Sequence, residues 1–367
     1  MVSLADTAPP YHGWTHDPTA RDEIPIPLLE GPALCVGTLF AVITGGASTG
    51  YQTLIDEGPA WAQRDGNRPA NSHTLRYYGN GLMFHVTRVG LRKSTDYGVT
   101  WTTSNKPTGF PAATLTHFDR DILTGRIWAV WRRRARDEAV YSSDDSGETW
   151  TYRNLQTGEG DVLRSIAVNP VNSQQIAVAG DDFARYGAYI TTNGGGLWGF
   201  RSTGFLATAS VSAYNAIVFA DTERIILMAV DSLPKLVGFI TNASGGGWTQ
   251  VLAGQNSQSH PIEMVRVNET TFFLGVMGGT RTSNIFRSTD SGQTWVNLTS
   301  YAGFQDVVSM DYGPECDVLY FSQFEPTVGT RIWRLEEALT VAPGSEVLKD
   351  LADTSPVHRG LRVLFDL

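Results

Sequence analysis

Five arginines lie close together in the sequence TGRIWAVWRRRARDEAVYSS, at residues 124–143: Arg126, Arg132, Arg133, Arg134 and Arg136. A guanidinium group presents a planar set of N–H donors that matches the oxygens of a carboxylate or a phosphate. In an acidic chain, this cluster predicts an electropositive spot that docks an anionic glycan, a phosphate or an acidic partner. The alternative is a solvated hairpin, partly neutralised by Asp137 and Glu138.

Acid–base chemistry would need two carboxyl groups placed across a cleft. Four aspartates are candidates for such a pair: Asp119, Asp121, Asp181 and Asp182. Two adjacent aspartates in a loop are, however, more typical of a solvated turn. The sequence therefore selects no catalytic pair, and it predicts neither a metal site nor a cofactor.

The bulk composition limits the classes of partner. The chain has 367 residues, a net charge of −9 and a pI near 5.3, which argue against nucleic acid and anionic membranes as general partners. No apolar stretch is long enough for membrane insertion, and the start MVSLADTAPPYHGW has no signal-peptide pattern. With only Cys35 and Cys316, the chain has no disulfide framework.

An internal repeat organises the chain. Three segments share the pattern S-x-D-x-G-x-T-W, at residues 94–101, 143–150 and 288–295. Weaker copies are TTNGGGLW, which ends at Trp198, TNASGGGW, which ends at Trp248, and TGGASTGY, which ends at Tyr51. The closing aromatic residues are separated by 50, 49, 48, 50 and 47 residues, so one structural unit recurs about six times.

Each copy of the pattern predicts a hairpin turn between two strands. The aspartate accepts hydrogen bonds from the N–H groups of its own turn, the glycine supplies a positive φ, and the tryptophan begins the next strand. The residues assigned to these structural roles are Asp96, Gly98, Trp101, Asp145, Gly147, Trp150, Asn193, Trp198, Trp248, Asp290, Gly292 and Trp295. Asn193 keeps an acceptor at the aspartate position, whereas Ala243 does not, so the turn at Ala243 should be held less strongly.

The segments between the turns predict four strands per unit. Short alternating runs such as LMFHVT and QQIAVAG precede the boxed hairpins, and three further strands follow Trp295 without a turn motif. We therefore predict an all-β chain that folds as a single β-propeller of seven four-stranded antiparallel blades, with six blades as the alternative. Residues 1–30 are rich in proline and predict an extended arm, and residues 31–367 form the propeller, with the C-terminal segment as a candidate to close the ring.

The repeated pattern resembles the Asp-box, or bacterial neuraminidase repeat, which occurs in sialidases, certain endo-glucanases, sortilin-type receptors, a photosystem II assembly factor and phage virion propellers. The resemblance covers about residues 32–340 and implies the propeller fold. It implies no particular activity, because these proteins share turns rather than active sites.

Sialidases of this family also carry an Arg-Ile-Pro motif, three substrate-binding arginines and a Tyr/Glu nucleophile pair. The nearest match to the motif begins at Glu23, so a glutamate stands where the arginine should be. The remaining candidates for the arginines and the nucleophile pair are Arg76, Arg88, Arg266, Arg281, Tyr301 and Glu263.

We therefore predict a non-catalytic binding or architectural propeller that acts in a phage virion as a tail, fibre or capsid-decorating protein in assembly or host attachment. Its predicted partners are other virion or assembly proteins, contacted through residues 1–30, and a surface glycan. Its predicted location is the virion after synthesis in the host cytoplasm, with the cytoplasm as the alternative. Two alternatives stay open: a sialidase-like or other glycoside hydrolase, and an assembly-factor propeller.

Overall fold

The computed structural model shows an all-β chain. It describes residues 11–12, 15–16, 39–43, 50–54, 62–65, 75–78, 82–87, 90–96, 99–134, 137–156, 162–182, 185–206, 216–230, 235–257, 259–278, 284–298, 307–313, 318–325, 329–335, 347–350 and 363–364. Across these residues, no helix has the length and apolar character needed to span a membrane.

Five of the sheets have four strands each. Sheet 1 contains β2 (Thr15–His16), β3 (Leu39–Ile43), β4 (Gly50–Leu54) and β5 (Ala62–Asp65). Sheet 3 contains β10 (Thr114–Arg120), β11 (Ile127–Arg134), β12 (Asp137–Ser143) and β13 (Thr151–Gln156). Sheet 4 contains β14 (Leu163–Val168), β15 (Ile176–Asp182), β16 (Arg185–Thr191) and β17 (Gly199–Leu206). Sheet 5 contains β18 (Ala216–Phe219), β19 (Arg224–Val230), β20 (Lys235–Asn242) and β21 (Gly245–Ser257), and sheet 6 contains β22 (Ser259–Arg266), β23 (Phe272–Gly278), β24 (Asn284–Ser288) and β25 (Val296–Asn297).

Two further sheets have five strands each. Sheet 2 contains β1 (Tyr11–His12), β6 (Leu75–Tyr77), β7 (Met83–Thr87), β8 (Gly90–Ser94) and β9 (Thr102–Thr103). Sheet 7 contains β26 (Val307–Gly313), β27 (Val318–Glu325), β28 (Gly329–Leu335), β29 (Val347–Asp350) and β30 (Val363–Leu364).

The prediction of seven four-stranded blades is therefore wrong, and so is the six-bladed alternative. The propeller has five four-stranded blades, and the remaining strands form the two five-stranded sheets. The fifth strands come from the two ends of the chain, since β1 pairs with β6 and β30 pairs with β29. The repeat does not extend into these end segments, so its period carries no information about their pairing.

The end segments bear on the predicted domain division. Of residues 1–30, the structure describes only β1 and β2, and β2 pairs in parallel with β3 of sheet 1. The rest of the predicted arm lies outside the described residues. The division into an arm at 1–30 and a propeller at 31–367, with closure by the C-terminal segment, stays a prediction.

The sheets are arranged around a common axis. The first strands of neighbouring sheets lie beside one another, in the order β10, β14, β18, β22 and β26. Side chains of the second and third strands are buried on both faces because a neighbouring sheet covers each face; β12, for example, is buried over six of its seven residues. The outer strand β13 is mostly exposed, with only Leu155 buried. This gradient from inner to outer strand is the one a propeller requires.

The hydrophobic core lies in the seams between sheets. Alternate residues of β11 face different seams: Trp131 packs between sheets 2 and 3, and Trp128 packs between sheets 3 and 4. Both tryptophans are fully buried. Because successive side chains of a strand point to opposite faces, one strand contributes a large aromatic ring to each of two seams.

The sheet ends form two faces of the propeller. The repeat-turn face carries the repeat turns, at residues 94–101, 143–150, 191–198, 241–248 and 288–295, together with the described loops that join the first and second strands of sheets 3, 4, 5 and 6. Backbone bonds from Gly194 to Gln174 and from Ala243 to Glu223 hold these turns and loops together. The hairpin face is the opposite end, where β11 meets β12 and β15 meets β16.

Candidate functional site

The repeat turn of sheet 3 is organised by one carboxylate. Asp145 Oδ1 accepts hydrogen bonds from the Thr149 backbone N–H at 2.9 Å and from the Ser143 hydroxyl at 2.7 Å, and Oδ2 accepts one from the Thr149 hydroxyl at 2.5 Å. The Ser143 hydroxyl oxygen in turn accepts from the Gly147 N–H at 2.7 Å, and Gly147 has a φ of +96°. These bonds lower the pKa of Asp145 to about 2, with the Thr149 hydroxyl as the largest cause.

The turns of sheets 2 and 6 repeat this arrangement. Asp96 accepts from the N–H and hydroxyl of Thr100, and Asp290 accepts from the N–H and hydroxyl of Thr294. The Thr100 hydroxyl is the largest influence on Asp96 and lowers its pKa; burial alone would raise the pKa of Asp290, but the bonds from Thr294 lower it. Gly98 lies outside the described residues, and Gly292 has a φ of +82°. These carboxylates are held ionised by their own turns, so they are not placed to exchange protons with a substrate.

The turns of sheets 4 and 5 depart from the pattern. Asn193 Oδ1 accepts from the Leu197 N–H at 2.9 Å and so occupies the role of the aspartate. At Ala243 the side-chain acceptor is missing, and Arg201 of sheet 4 instead donates to the backbone carbonyls of Asn242 and Ala243. In the turn of sheet 5, a guanidinium group from sheet 4 thus binds the backbone carbonyls.

The repeat tryptophans connect neighbouring sheets. The indole N–H of Trp150 donates to the Asn105 carbonyl at 2.8 Å, that of Trp198 to the Arg153 carbonyl at 2.6 Å, and that of Trp248 to the Arg201 carbonyl at 2.9 Å. Each acceptor belongs to the sheet before the one whose turn the tryptophan closes, or to the loop that follows that sheet. Trp295 differs, because its N–H donates to Gly292 of its own turn. For Trp101 the structure records a half-buried side chain.

Three of the four candidate catalytic aspartates bond to backbone N–H groups. Asp119 accepts from Arg120 and, at 2.8 Å, from Val168 of the next sheet. Asp121 is buried and accepts from residues 123 and 124 of its loop, and Asp181 accepts from Val162 at 2.7 Å. Asp182 ends β15, and its side chain lies outside the described residues. The described carboxylates therefore serve the backbone, which fits structural roles better than general acid–base chemistry.

The structure separates the arginine cluster into two groups. Arg126 lies on the repeat-turn face, where its Nε donates to Asp144 at 2.6 Å. Arg132 and Arg133 lie near the other end of β11, on the hairpin face. Arg132 follows Arg126 by six positions, which corresponds to roughly 20 Å at the rise of a β-strand. The side chains of Arg134 and Arg136 lie outside the described residues. The cluster is contiguous in sequence but does not form one surface.

Arg132 is held by a buried carboxylate. Its Nε and one terminal nitrogen both lie 2.8 Å from Glu138 Oε1, and the other oxygen of Glu138 accepts from the Leu163 N–H of sheet 4 at 2.6 Å. The side chain of Arg132 is 47% exposed, whereas that of Glu138 is 1% exposed. Glu138 therefore binds one side of the Arg132 guanidinium group, and the other side of that group is open to solvent.

Arg133 is placed differently from its neighbour. Its guanidinium group lies 4.7 Å from the centre of the Phe110 ring, donates to Asp137 and is largely buried. Burial alone would lower the pKa of Arg133, but the bond and the charge of Asp137 raise it above its usual value. Arg133 therefore packs the seam between sheets 2 and 3, and Arg132 is the arginine of this hairpin that is described as open to solvent.

The candidates that the sialidase resemblance supplied are not brought together among the described side chains. Arg266 is half-buried and donates to the Ala220 carbonyl, and burial lowers its pKa. The side chains of Arg76 and Glu263 are not described, although their strands β6 and β22 are. Outside the described residues lie Glu23, Arg88, Arg281, Tyr301, Cys35 and Cys316. Within the described part of the chain, no group of three His, Cys, Asp or Glu side chains is placed to hold a metal ion.

A polar groove lies on the outside of the seam between sheets 2 and 3. Asn105 pins the loop at residues 104–113 to the repeat turn of sheet 3, since its N–H donates to Gly147 and its side chain donates to the Glu148 carbonyl. The groove between loop and turn has a volume of about 510 Å³ and includes Lys106, Glu148 and Trp150 in its lining. Lys106 closes the loop by donating to the Pro111 carbonyl. Glu148 therefore lies where this groove meets the repeat-turn face.

Two residues of these faces were not identified from the sequence. Arg185 is exposed at the start of β16, on the hairpin next to that of Arg132, and Arg201 clamps the turn of sheet 5. No cluster or motif marks either residue. The one available signal for Arg201 is its spacing, because it follows Trp198 by three residues as Arg153 follows Trp150.

Comparisons with known proteins identify the fold and no family. No protein-family model matches the chain, and no curated protein matches it. Among solved structures, an ancestral GH74 enzyme is 13% identical with a TM-score of 0.52, covering 89% of this chain and 47% of its own. YCF48 bound to D1 peptide is 16% identical with a TM-score of 0.51, covering 91% of this chain and 96% of its own. A GH74 enzyme from Niastella koreensis is 13% identical with a TM-score of 0.43, covering 85% and 54%.

These similarities support a β-propeller with GH74 and YCF48 structures among its neighbours, at identities that show the fold alone. The chain spans about half the length of the ancestral GH74 structure, at 47%. The Asp-box family and a phage origin, both suggested by the sequence, are not supported by any match.

Proposed function

We propose that this protein is a non-catalytic binding propeller whose hairpin face docks an acidic segment of a partner protein. The observation that carries the proposal is Arg132, a half-exposed guanidinium group that a buried carboxylate holds in place. An arginine that is already fixed loses little side-chain entropy when it binds a carboxylate, so each bond contributes more to affinity. Arg185 on the adjacent hairpin adds a second exposed guanidinium group to the same face.

The two hairpins are linked through the backbone. Glu138 of sheet 3 accepts from Leu163, and the preceding residue, Val162, exchanges bonds with Asp181 near the end of β15. This chain of bonds ties the Arg132 hairpin to the strand that leads into the Arg185 hairpin. The two guanidinium groups therefore belong to one connected surface, which suits an extended acidic peptide better than a single small anion.

The fold similarity adds a precedent. The YCF48 structure contains a bound D1 peptide, so a propeller of comparable size can hold a protein segment. Against a hydrolase, the described candidate aspartates bond to backbone N–H groups, as set out above. The virion role and the surface glycan stay predictions, because no described contact bears on them.

The proposal is tested by removing one ion pair from each end of the same strand. The variant Arg132→Met/Glu138→Gln removes the pair on the hairpin face, and Arg126→Met/Asp144→Asn removes the pair on the repeat-turn face. Both variants keep the net charge of the parent protein, so long-range electrostatics are matched. Removing the glutamate together with the arginine also avoids a buried, unpaired carboxylate.

The measurement is fluorescence anisotropy with a labelled glutamate-rich peptide. We expect Arg132→Met/Glu138→Gln to weaken binding about tenfold, the loss of one charge-assisted hydrogen-bond pair, and Arg185→Ala to weaken it by a smaller factor. The Arg126→Met/Asp144→Asn control should bind as the parent does. Equal losses in both double variants, or no binding by the parent protein, would rule out the hairpin face as the docking site.

A further inference from the structure

Exposed charges are separated by sign between the two faces. Among the described side chains, six charged residues are exposed. The four carboxylates all lie on the repeat-turn face: Asp144, Asp145, Glu148 and Glu269. The two arginines, Arg132 and Arg185, lie on the hairpin face. Lys106 and Arg126 are partly exposed on the repeat-turn face and Asp137 on the hairpin face, so this separation by sign is a property of the most exposed side chains.

The large apolar side chains that are exposed are concentrated on the repeat-turn face. Leu197 is 74% exposed and takes the position of Thr100, Thr149 and Thr294, whose hydroxyls bond to the turn aspartates. The turn of sheet 4 lacks that bond and presents a leucine to solvent instead. All large apolar residues described as exposed lie in loops and turns of this face or within two residues of them: Val99, Ile122, Leu123, Tyr152, Val171, Leu197 and Val296. Apolar groups beside carboxylates are typical of a protein-binding surface.

We infer that the hairpin face binds a second copy of this chain. The copies stack head to tail, so that the repeat-turn face of one copy lies on the hairpin face of the next. The inference rests on the proposed function, because it requires that the hairpin face accept an acidic protein surface. Unlike faces attract and like faces repel, which selects the head-to-tail orientation. Such a contact leaves one free face at each end, so the stack grows beyond a dimer.

The docking surface is rigid before contact. Along the repeat-turn face, Asp119 bonds to Val168, Asn169 bonds to the Thr222 carbonyl at 2.9 Å, and Arg266 bonds to the Ala220 carbonyl. These bonds connect sheets 3, 4, 5 and 6 in sequence around the ring. Stacking therefore orders little additional backbone, and its entropy cost comes from side chains and from the translational and rotational freedom that any association loses.

The experiment is sedimentation velocity on the purified full-length protein over a range of concentrations at low and high salt. We expect the mean mass to rise with concentration past that of a dimer and to fall at high salt, where opposite surface charges are screened. Leu197→Ser should also reduce the association constant, whereas Ala253→Ser, at an exposed position inside outer strand β21 and away from both faces, should not.

Charge-reversed variants test the orientation. Arg185→Glu alters the hairpin face and Glu148→Arg/Glu269→Arg alters the repeat-turn face, and each variant alone should lower the association constant at least about tenfold. Mixing the two preparations should restore assembly, since each supplies the face that the other has lost. Rescue on mixing is specific to a contact between unlike faces.

Three results would overturn the stack: a monomeric parent protein at every concentration, growth that stops at a dimer, or no rescue on mixing. Peptide binding separates this outcome from failure of the proposed function. If Glu148→Arg/Glu269→Arg still binds the acidic peptide while the parent protein stays monomeric, the hairpin face is a docking site and the stack alone is refuted.

Discussion

The repeat turns of sheets 3 and 5 connect equivalent strands by different chemistry. In sheet 3, Asp145 binds the N–H and hydroxyl of Thr149 within its own turn, and Asn105 of the preceding loop binds the Gly147 and Glu148 carbonyls. In sheet 5, the equivalent residue is Ala243, which is buried in the seam, and Arg201 of the preceding sheet binds the turn carbonyls. Both turns accept hydrogen bonds from the preceding sheet or its loop. They differ because the turn of sheet 3 carries its own carboxylate, whereas in sheet 5 Glu223 of the adjoining loop accepts from the Ser244 N–H.

The difference shows that the requirement at this position is satisfaction of turn backbone groups rather than a carboxylate as such. A turn that carries its own carboxylate satisfies its N–H groups locally. The turn of sheet 5 depends for this on Glu223, which lies outside it. The following predictions test this contrast, from the largest expected effect to the smallest.

The largest effect is expected from adding a methyl group at Gly147. Its φ is +96°, and a Cβ there would lie 2.6 Å from Cβ of Ser104 across the seam. Gly147→Ala should lower the free energy of unfolding by about 3 kcal/mol, from backbone strain and overpacking together. The matched variant is Gly246→Ala in the turn of sheet 5, where φ is +99° and no atom lies within 4 Å of the added Cβ.

Because Gly246→Ala adds only backbone strain, it should cost about 1 kcal/mol. Urea denaturation of both variants measures the difference. Equal costs would mean that the seam relaxes around the new methyl group, and that the turn of sheet 3 is less tightly packed than its geometry indicates.

The next largest loss of stability is expected from removing the Asp145 carboxylate. Asp145→Ala removes three acceptor bonds and should lower the free energy of unfolding by about 1 to 2 kcal/mol, as for loss of a helix-capping side chain. Asp144→Ala, at the neighbouring position, breaks only an exposed ion pair with Arg126 and should cost less than about 0.5 kcal/mol. Chemical denaturation at neutral pH compares the two.

Acid titration sharpens the same prediction. The pKa of Asp145 is about 2 in the folded protein, below the value of about 3.9 for an unfolded aspartate. Its stabilising contribution is therefore complete above about pH 4 and is lost as the pH falls toward about 2. Asp145→Ala should flatten the dependence of the melting temperature on pH in that window.

The smallest effect is expected from the arginine clamp. Arg201→Met removes two donors to the turn of sheet 5 and should cost about 1 kcal/mol, because water can replace the donor to exposed Asn242 but not the one to buried Ala243. Arg153→Met is the control, since Arg153 holds the equivalent position but donates to Ser142 of its own sheet. Hydrogen exchange at residues 242–248 should accelerate in the first variant only. Acceleration in both would contradict a clamp specific to sheet 5.

The propeller fold could be predicted from the sequence because the repeat is local. The spacing of Trp150, Trp198 and Trp248 places one hairpin turn per unit, and alternating apolar runs place the strands around it. The number of four-stranded blades could not be predicted in this way. It depends on where β1 and β30 pair, and these two-residue strands have no periodic pattern.

The candidate site shows the complementary limit. The arginines of residues 124–143 look like one cluster in the sequence, but Arg126 precedes β11 on the repeat-turn face and Arg132 lies near the far end of β11 on the hairpin face. Sequence proximity cannot show which side chain is buried. Alternation along β11 sends the two side chains to different seams, where Arg133 packs on Phe110 and Arg132 binds Glu138, but it does not predict that Arg132 is half-exposed.

The indole bonds across the seams have an evolutionary consequence. Trp198 donates to the Arg153 carbonyl and Trp248 to the Arg201 carbonyl, so the same bond recurs at intervals close to one repeat. A gene duplication or deletion that adds or removes one whole period between equivalent tryptophans would recreate this bond at the new junction. Neighbouring seams would fit before and after the event. Lineages carrying this repeat could therefore gain or lose a sheet while every local junction remained intact, and selection on blade number would act only through closure of the circle.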